Sequence, residues 1–186
     1  MSKKMPKSGE LLISEPSILN DNQFSRSVIL LAEYNTTSGA VGFILNRKSE
    51  YVIRDLVPNI DSDHPVYLGG PVSTDNLYFM HRVPELIPDS IKITEDVFWG
   101  GSFEKISTLL RDNLLSSSDI RFFLGYSGWS RSQLLRELKE KSWFVKTNKF
   151  SNILDVDVTS LWKNEILKLG DSYKIWANAP KNPRLN

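Results

Sequence analysis

Apolar residues fall in short runs along this 186-residue chain, and the period of each run assigns it an element. Leu11-Leu12-Ile13 reads as a short strand closed by Glu15-Pro16. Val28-Ile29-Leu30-Leu31 and Val41-Gly42-Phe43-Ile44-Leu45 have no polar face, so each predicts a strand covered on both sides. The polar turn Asn35–Gly39 between them predicts a hairpin. Val66-Tyr67-Leu68, stopped by Gly69-Gly70-Pro71, and Leu77–His81 predict a second hairpin. Ile53–Leu56 reads as one helical turn and Ile91-Lys92-Ile93 as an edge strand.

The second half alternates strands with helices. Ser102 is placed to cap a helix whose Phe103, Ile106, Leu109, Leu110 and Leu114 share one face. Arg121–Tyr126 predicts a strand, and Gly125-Tyr126-Ser127-Gly128-Trp129 a tight strand-to-helix turn. Ser130 and Gln133 form a capping-box pattern, with Leu134, Leu135 and Leu138 inward and Glu137 paired to Lys141 at i,i+4. Trp143-Phe144-Val145 predicts a strand, and Leu161, Trp162, Ile166 and Leu169 a last helix closed by Gly170. Tyr173, Ile175 and Trp176 predict a docked tail. Hairpins first and alternation later mean an α+β protein with a mixed β-sheet and flanking helices.

Composition narrows the chemistry more than the fold. The chain length suits a single domain, read as residues 9–186 after a flexible N-terminus at 1–8. Lys+Arg 23 against Asp+Glu 22 leaves +1, which supplies no field for nucleic acid or an anionic membrane. Cys is 0, which excludes disulfides, thiolate metal sites and cysteine nucleophiles. With His at 2, no metal cage and no cofactor motif is expected. No secretory pattern opens the sequence and no window approaches the roughly 20 apolar residues of a membrane span, so a cytoplasmic location is expected.

Several residues carry candidate chemistry. Gly125-Tyr126-Ser127-Gly128-Trp129 invites comparison with the Gly-x-Ser-x-Gly nucleophile elbow. Its fifth residue is Trp, and both His precede Ser127, so the Ser…Asp…His order fails and a glycine-permitted turn is the competing reading. His64 sits in a polar loop and is expected to be exposed, whereas His81 ends an apolar strand. Gly69-Gly70-Pro71 is either a tight turn or a ligand loop, and is no Walker loop. Arg26, between two serines, is placed to hold an anion or a structural carboxylate. Asp55, Asp61 and Asp63 with Glu50 read as scattered loop acids.

Together these segments, with Gly-x-Leu-Leu-Ile at 9–13, Phe24-x-Arg26-Ser27-Val28, Gly42-x-x-Leu45-Asn46 and Gln133-Leu134-x-x-Glu137-Leu138, resemble the AlgH/YqgE-like family. The resemblance implies a mixed sheet curled into a pseudo-barrel with helices outside. The motif residues, mostly Gly, Pro and aromatics rather than nucleophiles and bases, predict a non-enzymatic cytoplasmic binding protein, and the resemblance, through a member described as a regulator of alginate gene expression, implies a transcriptional regulator. A small-molecule or anion-binding protein with modest hydrolytic activity is the alternative. The partner is then an unidentified protein or a small anionic ligand. Nucleic acid enters only through the family resemblance, against the charge, and no membrane is implied. Arg26, Asn46, Gly69, Gly70, His81, Gly125, Tyr126, Ser127, Gly128 and Trp129 are expected to converge in one cleft, facing the helix that follows Ser130.

Overall fold

The computed structural model describes residues 5–17 and 23–179; Asn20-Asp21-Asn22, whose residue types predict a turn, and the tail beyond Ala179 lie outside the described residues. The strands are β1 (Glu10–Ser14), β2 (Val28–Asn35), β3 (Gly39–Ile44), β4 (Lys48–Val52), β5 (Pro65–Leu68), β6 (Val72–His81), β7 (Ile91–Lys92), β8 (Phe98–Trp99), β9 (Ile120–Trp129) and β10 (Trp143–Thr147). The helices are α1 (Ile53–Leu56), α2 (Phe103–Arg111), α3 (Arg131–Lys139), α4 (Leu161–Leu167) and α5 (Lys174–Asn178).

Among the described residues all ten strands belong to one sheet, ordered β10-β1-β2-β3-β9-β6-β8-β7, with β5 against β9 and β4 against β5. Every pairing is antiparallel except β5 with β9. The expected pseudo-barrel is not formed. Closure needs the two ends of the strand path to pair. Among the described residues β10 pairs only with β1 and two-residue β7 only with β8, so the sheet stays open.

The first hairpin forms as its pattern requires, with Ile29 opposite Ile44 and Leu30 opposite Phe43. The second does not. Val66–Leu68 and Leu77–Phe79 lie on the two sides of Phe122–Leu124, so β9 separates them. Strand β4 was not expected, because its Lys-Ser-Glu-Tyr-Val run is polar and largely exposed.

Helices cover both faces. Helix α4 packs Leu161, Trp162 and Ile166 on Leu11, Ile13, Leu30, Phe43 and Phe123. Behind the same first strands, α3 places Leu134 with Leu12, Ile29, Leu31 and Ile44. Helices α1 and α2 cover Val66, Phe79 and Phe122 with Ile53, Ile106, Leu109 and Leu110. Helix α2 ends earlier than expected, and Leu114 is exposed rather than inward. Tyr173 and Ala177 dock the tail, Tyr173 edge-on to Phe144, but Ile175 is 81% exposed.

Candidate functional site

Strand β9 organises the residues singled out in the sequence, because it borders β3 and β5 on one side and β6 on the other. Gly125 is left-handed (φ +66°), a conformation that spares glycine the Cβ clash. The kink brings β9 against Gly69-Gly70. A Cβ on Gly69 would stand 2.3 Å from the Gly125 oxygen, and one on Gly125 2.6 Å from the Gly70 oxygen. These glycines are needed for close approach of two backbones. Ser127 closes the joint. It is fully buried, and its Oγ donates to the Gly69 oxygen at 3.0 Å, beside the Ile44 N–H that donates to the same oxygen at 2.9 Å.

Asn46 performs a similar task for the Arg26 segment. Its Oδ1 accepts from the Val28 N–H at 2.8 Å, and its Nδ2 donates to the Arg26 oxygen at 2.9 Å. That clamp fixes Arg26, itself left-handed (φ 52°), ahead of the buried strand. The Arg26 guanidinium donates to the Ala179 oxygen at 2.8 Å and lies over the Trp162 ring, tying the tail to the body.

The expected single cleft is divided. Gly70 borders a hollow of about 170 Å³ with Arg47, Leu68, Thr74 and Leu124. Arg47 is held there by the Gln23 oxygen at 2.6 Å and by the Ser25 oxygen and Ser27 Oγ, each at 3.4 Å. Tyr126, Gly128 and Trp129 line a separate groove of about 260 Å³ with Glu33, Asn35 and Ser38. Arg131 is exposed at the start of α3.

His81 belongs to neither. It pairs with Ile120 at the opposite end of β9, eight residues from Gly128, which is about 26 Å of extended chain. It is fully buried, stacked on Phe98, with Nδ1 accepting from the Val83 N–H at 3.3 Å. Burial lowers its pKa, against the opposing pull of the Gly100 backbone and Glu85.

His64 and the loop acids lie near that same end. His64 is half-buried edge-on to Phe122, not exposed, and its Nδ1 is 2.7 Å from Ser62 Oγ. Asp61 and Asp63 are ion-paired with Arg54, and Asp55 accepts from the Val52 N–H. No group of three or more His, Asp or Glu able to hold a metal occurs among the described residues. On the other face, Arg121 is 5% exposed and borders a cavity of about 160 Å³. The signal was a charge inside the otherwise apolar run Ile-Arg-Phe-Phe-Leu.

An open, largely antiparallel sheet with helices on both faces, its glycine and serine motifs spent on strand joints, defines a single-domain α+β protein. The chain belongs to the AlgH-like family, whose model matches residues 11–174. It is 40% identical over 180 residues to a UPF0301 protein of Cytophaga hutchinsonii, covering 96% of this chain and 98% of that one. A UPF0301 protein of Parabacteroides distasonis is 38% identical over 185 residues, covering 98% and 92%. The solution structure of the AlgH protein from Pseudomonas aeruginosa shares the fold, with a TM-score of 0.73 at 22% identity over 97% of this chain and 99% of that one. A crystal structure of a protein from Corynebacterium diphtheriae gives the same TM-score at 19% identity, covering 96% and 95%. No helix among the described residues is long and apolar enough to cross a membrane.

Proposed function

We propose that this protein acts by binding and not by catalysis, as a cytoplasmic regulator that engages a protein partner or a small anion. The observation that carries this reading is Ser127. A nucleophilic serine must present its oxygen to substrate with a base within hydrogen-bond reach. Ser127 is buried, donates to a main-chain oxygen, and belongs to the joint that holds β9 on the Gly69-Gly70 turn. Direct DNA binding draws no support from a net charge of +1.

The test is genetic and enzymatic together. Wild type and Ser127→Ala are compared for hydrolysis of ester and phosphoester substrates, and for restoring the transcript profile of a strain lacking the gene. Equal restoration with no Ser127-dependent turnover supports the reading. A hydrolytic rate that disappears in a folded Ser127→Ala variant overturns it.

A further inference from the structure

We infer that the cavity beside Arg121 is a binding site for a small carboxylate. The guanidinium is almost wholly buried, and its carbon lies over the Tyr67 ring, 4.5 Å from the centroid. It carries five N–H groups. One from Nη1 goes to the Leu45 oxygen at 3.1 Å and one from Nη2 to the Leu154 oxygen. The other three have no acceptor among the described residues, and no carboxylate lies within ion-pair distance. Asp155 acts on the guanidinium without an ion-pair contact, which offsets only part of the cost of burying the cation, and an anion in direct contact lowers that cost further.

The surroundings choose the anion. The cavity of about 160 Å³ is bounded by Tyr67, Ser117, Leu154, Asp155 and Val156. At roughly 30 Å³ per water it holds a molecule of only a few heavy atoms. Tyr67 sits against the guanidinium carbon, and the N–H groups left without an acceptor suit a two-oxygen partner. Asp155 acts electrostatically on Arg121 and borders the same space, so it repels a dianion more than a monoanion. Leu154 and Val156 suit a short apolar tail. A monocarboxylate of two to four carbons meets these conditions better than phosphate. The site lies apart from the Gly69–Ser127 joint and stands whether or not the protein regulates transcription.

The experiment is an NMR titration of the full chain with acetate, propanoate and butanoate, with phosphate and chloride as comparison arms at low ionic strength. Saturable shifts confined to Tyr67, Ser117, Arg121 and residues 154–156 are expected for the carboxylates, and their loss in Arg121→Gln. Because Arg121→Gln removes two buried hydrogen bonds and can fail to fold, Asp155→Asn is the second variant. It should tighten carboxylate binding about 1.4- to 5-fold, the range for one exposed charge pair. Absence of saturable shifts in the wild type, phosphate binding tighter than carboxylate, or weaker binding in Asp155→Asn would each overturn the proposal.

Discussion

Trp129 and Trp143 donate their indole N–H groups to the same carboxylate oxygen, Oε2 of Glu137, each at 2.8 Å. Their rings stand perpendicular, 5.9 Å apart, and Phe24 packs on both. Gln133 Nε2 donates to the other Glu137 oxygen at 2.9 Å. The end of β9, helix α3 and the start of β10 are therefore joined through one anion. Glu137→Ala leaves two indole donors without their acceptor. It should cost about 2–3 kcal/mol, the scale of hydrogen bonds to a charged group. Glu137→Gln, which keeps an oxygen acceptor, should cost less. Urea denaturation of both variants checks the order.

The glycines separate into two kinds. Gly69→Ala drives a methyl into the Gly125 oxygen, a backbone atom that cannot swing away. Overpacking of this kind costs about 1–3 kcal/mol or more. Gly100 is also left-handed (φ +69°), but a Cβ there meets nothing within 4 Å. Gly100→Ala should cost only the backbone strain, about 1–2 kcal/mol. Gly125→Ala combines both effects and should be the worst of the three. Thermal melts of the set rank them; Gly100→Ala as the most damaging would contradict the assignment.

The hairpin of β2 and β3 was legible because an unbroken apolar run can only be buried on both faces, and α3 and α4 supply the cover. Ser102 and Ser130 were legible as caps for a local reason: each accepts from the N–H three residues on, at 3.3 Å. The capping box was only half right, since Gln133 turns to Glu137 instead of back to Ser130. Likewise Glu137 faces the indoles, not Lys141, because a buried pair of N–H groups outbids an exposed lysine. Tertiary partners are not local, and this limited the site more than the elements. His81 and Gly128 both end apolar runs, yet pairing places them at opposite ends of β9. Likewise, the insertion of β9 between β5 and β6 is a long-range event that no turn residue announces.

His81 makes stability depend on pH in a stated direction. Burial lowers its folded-state pKa below the ordinary 6.5, so the unfolded chain takes up the proton first. Its contribution is complete above about pH 6.5 and declines as pH falls from there towards the folded-state pKa. One proton gives a slope of at most about 1.4 kcal/mol per pH unit. His81→Gln should flatten that part of the profile in urea melts between pH 7 and 5. An unchanged slope would show that His81 is protonated without loss of the fold.

Glu165 sets a second, lower window. Its side chain is 4% exposed and receives Lys168 Nζ at 2.6 Å and Lys146 Nζ at 2.9 Å. Burial pushes its pKa up, but the hydrogen bonds and charges of the two lysines outweigh that and hold it below 4.5. A depressed carboxylate stabilises the fold above its unfolded-state pKa and loses that effect as pH falls through the folded-state value. Lys146→Met removes the less exposed partner and leaves a buried carboxylate with one exposed lysine. At pH 7 it should cost about 2–4 kcal/mol, near the range for breaking a buried pair. At pH 4 the cost should shrink, because the carboxyl can now take a proton. The double variant Lys146→Met with Glu165→Met removes both charges and should recover most of the loss, since the site lies beside the Leu161 and Ile166 layer of α4. Urea melts of the single and double variants at both pH values decide it. A double variant no more stable than Lys146→Met would mean that Glu165 holds α4 on β10 by more than its charge.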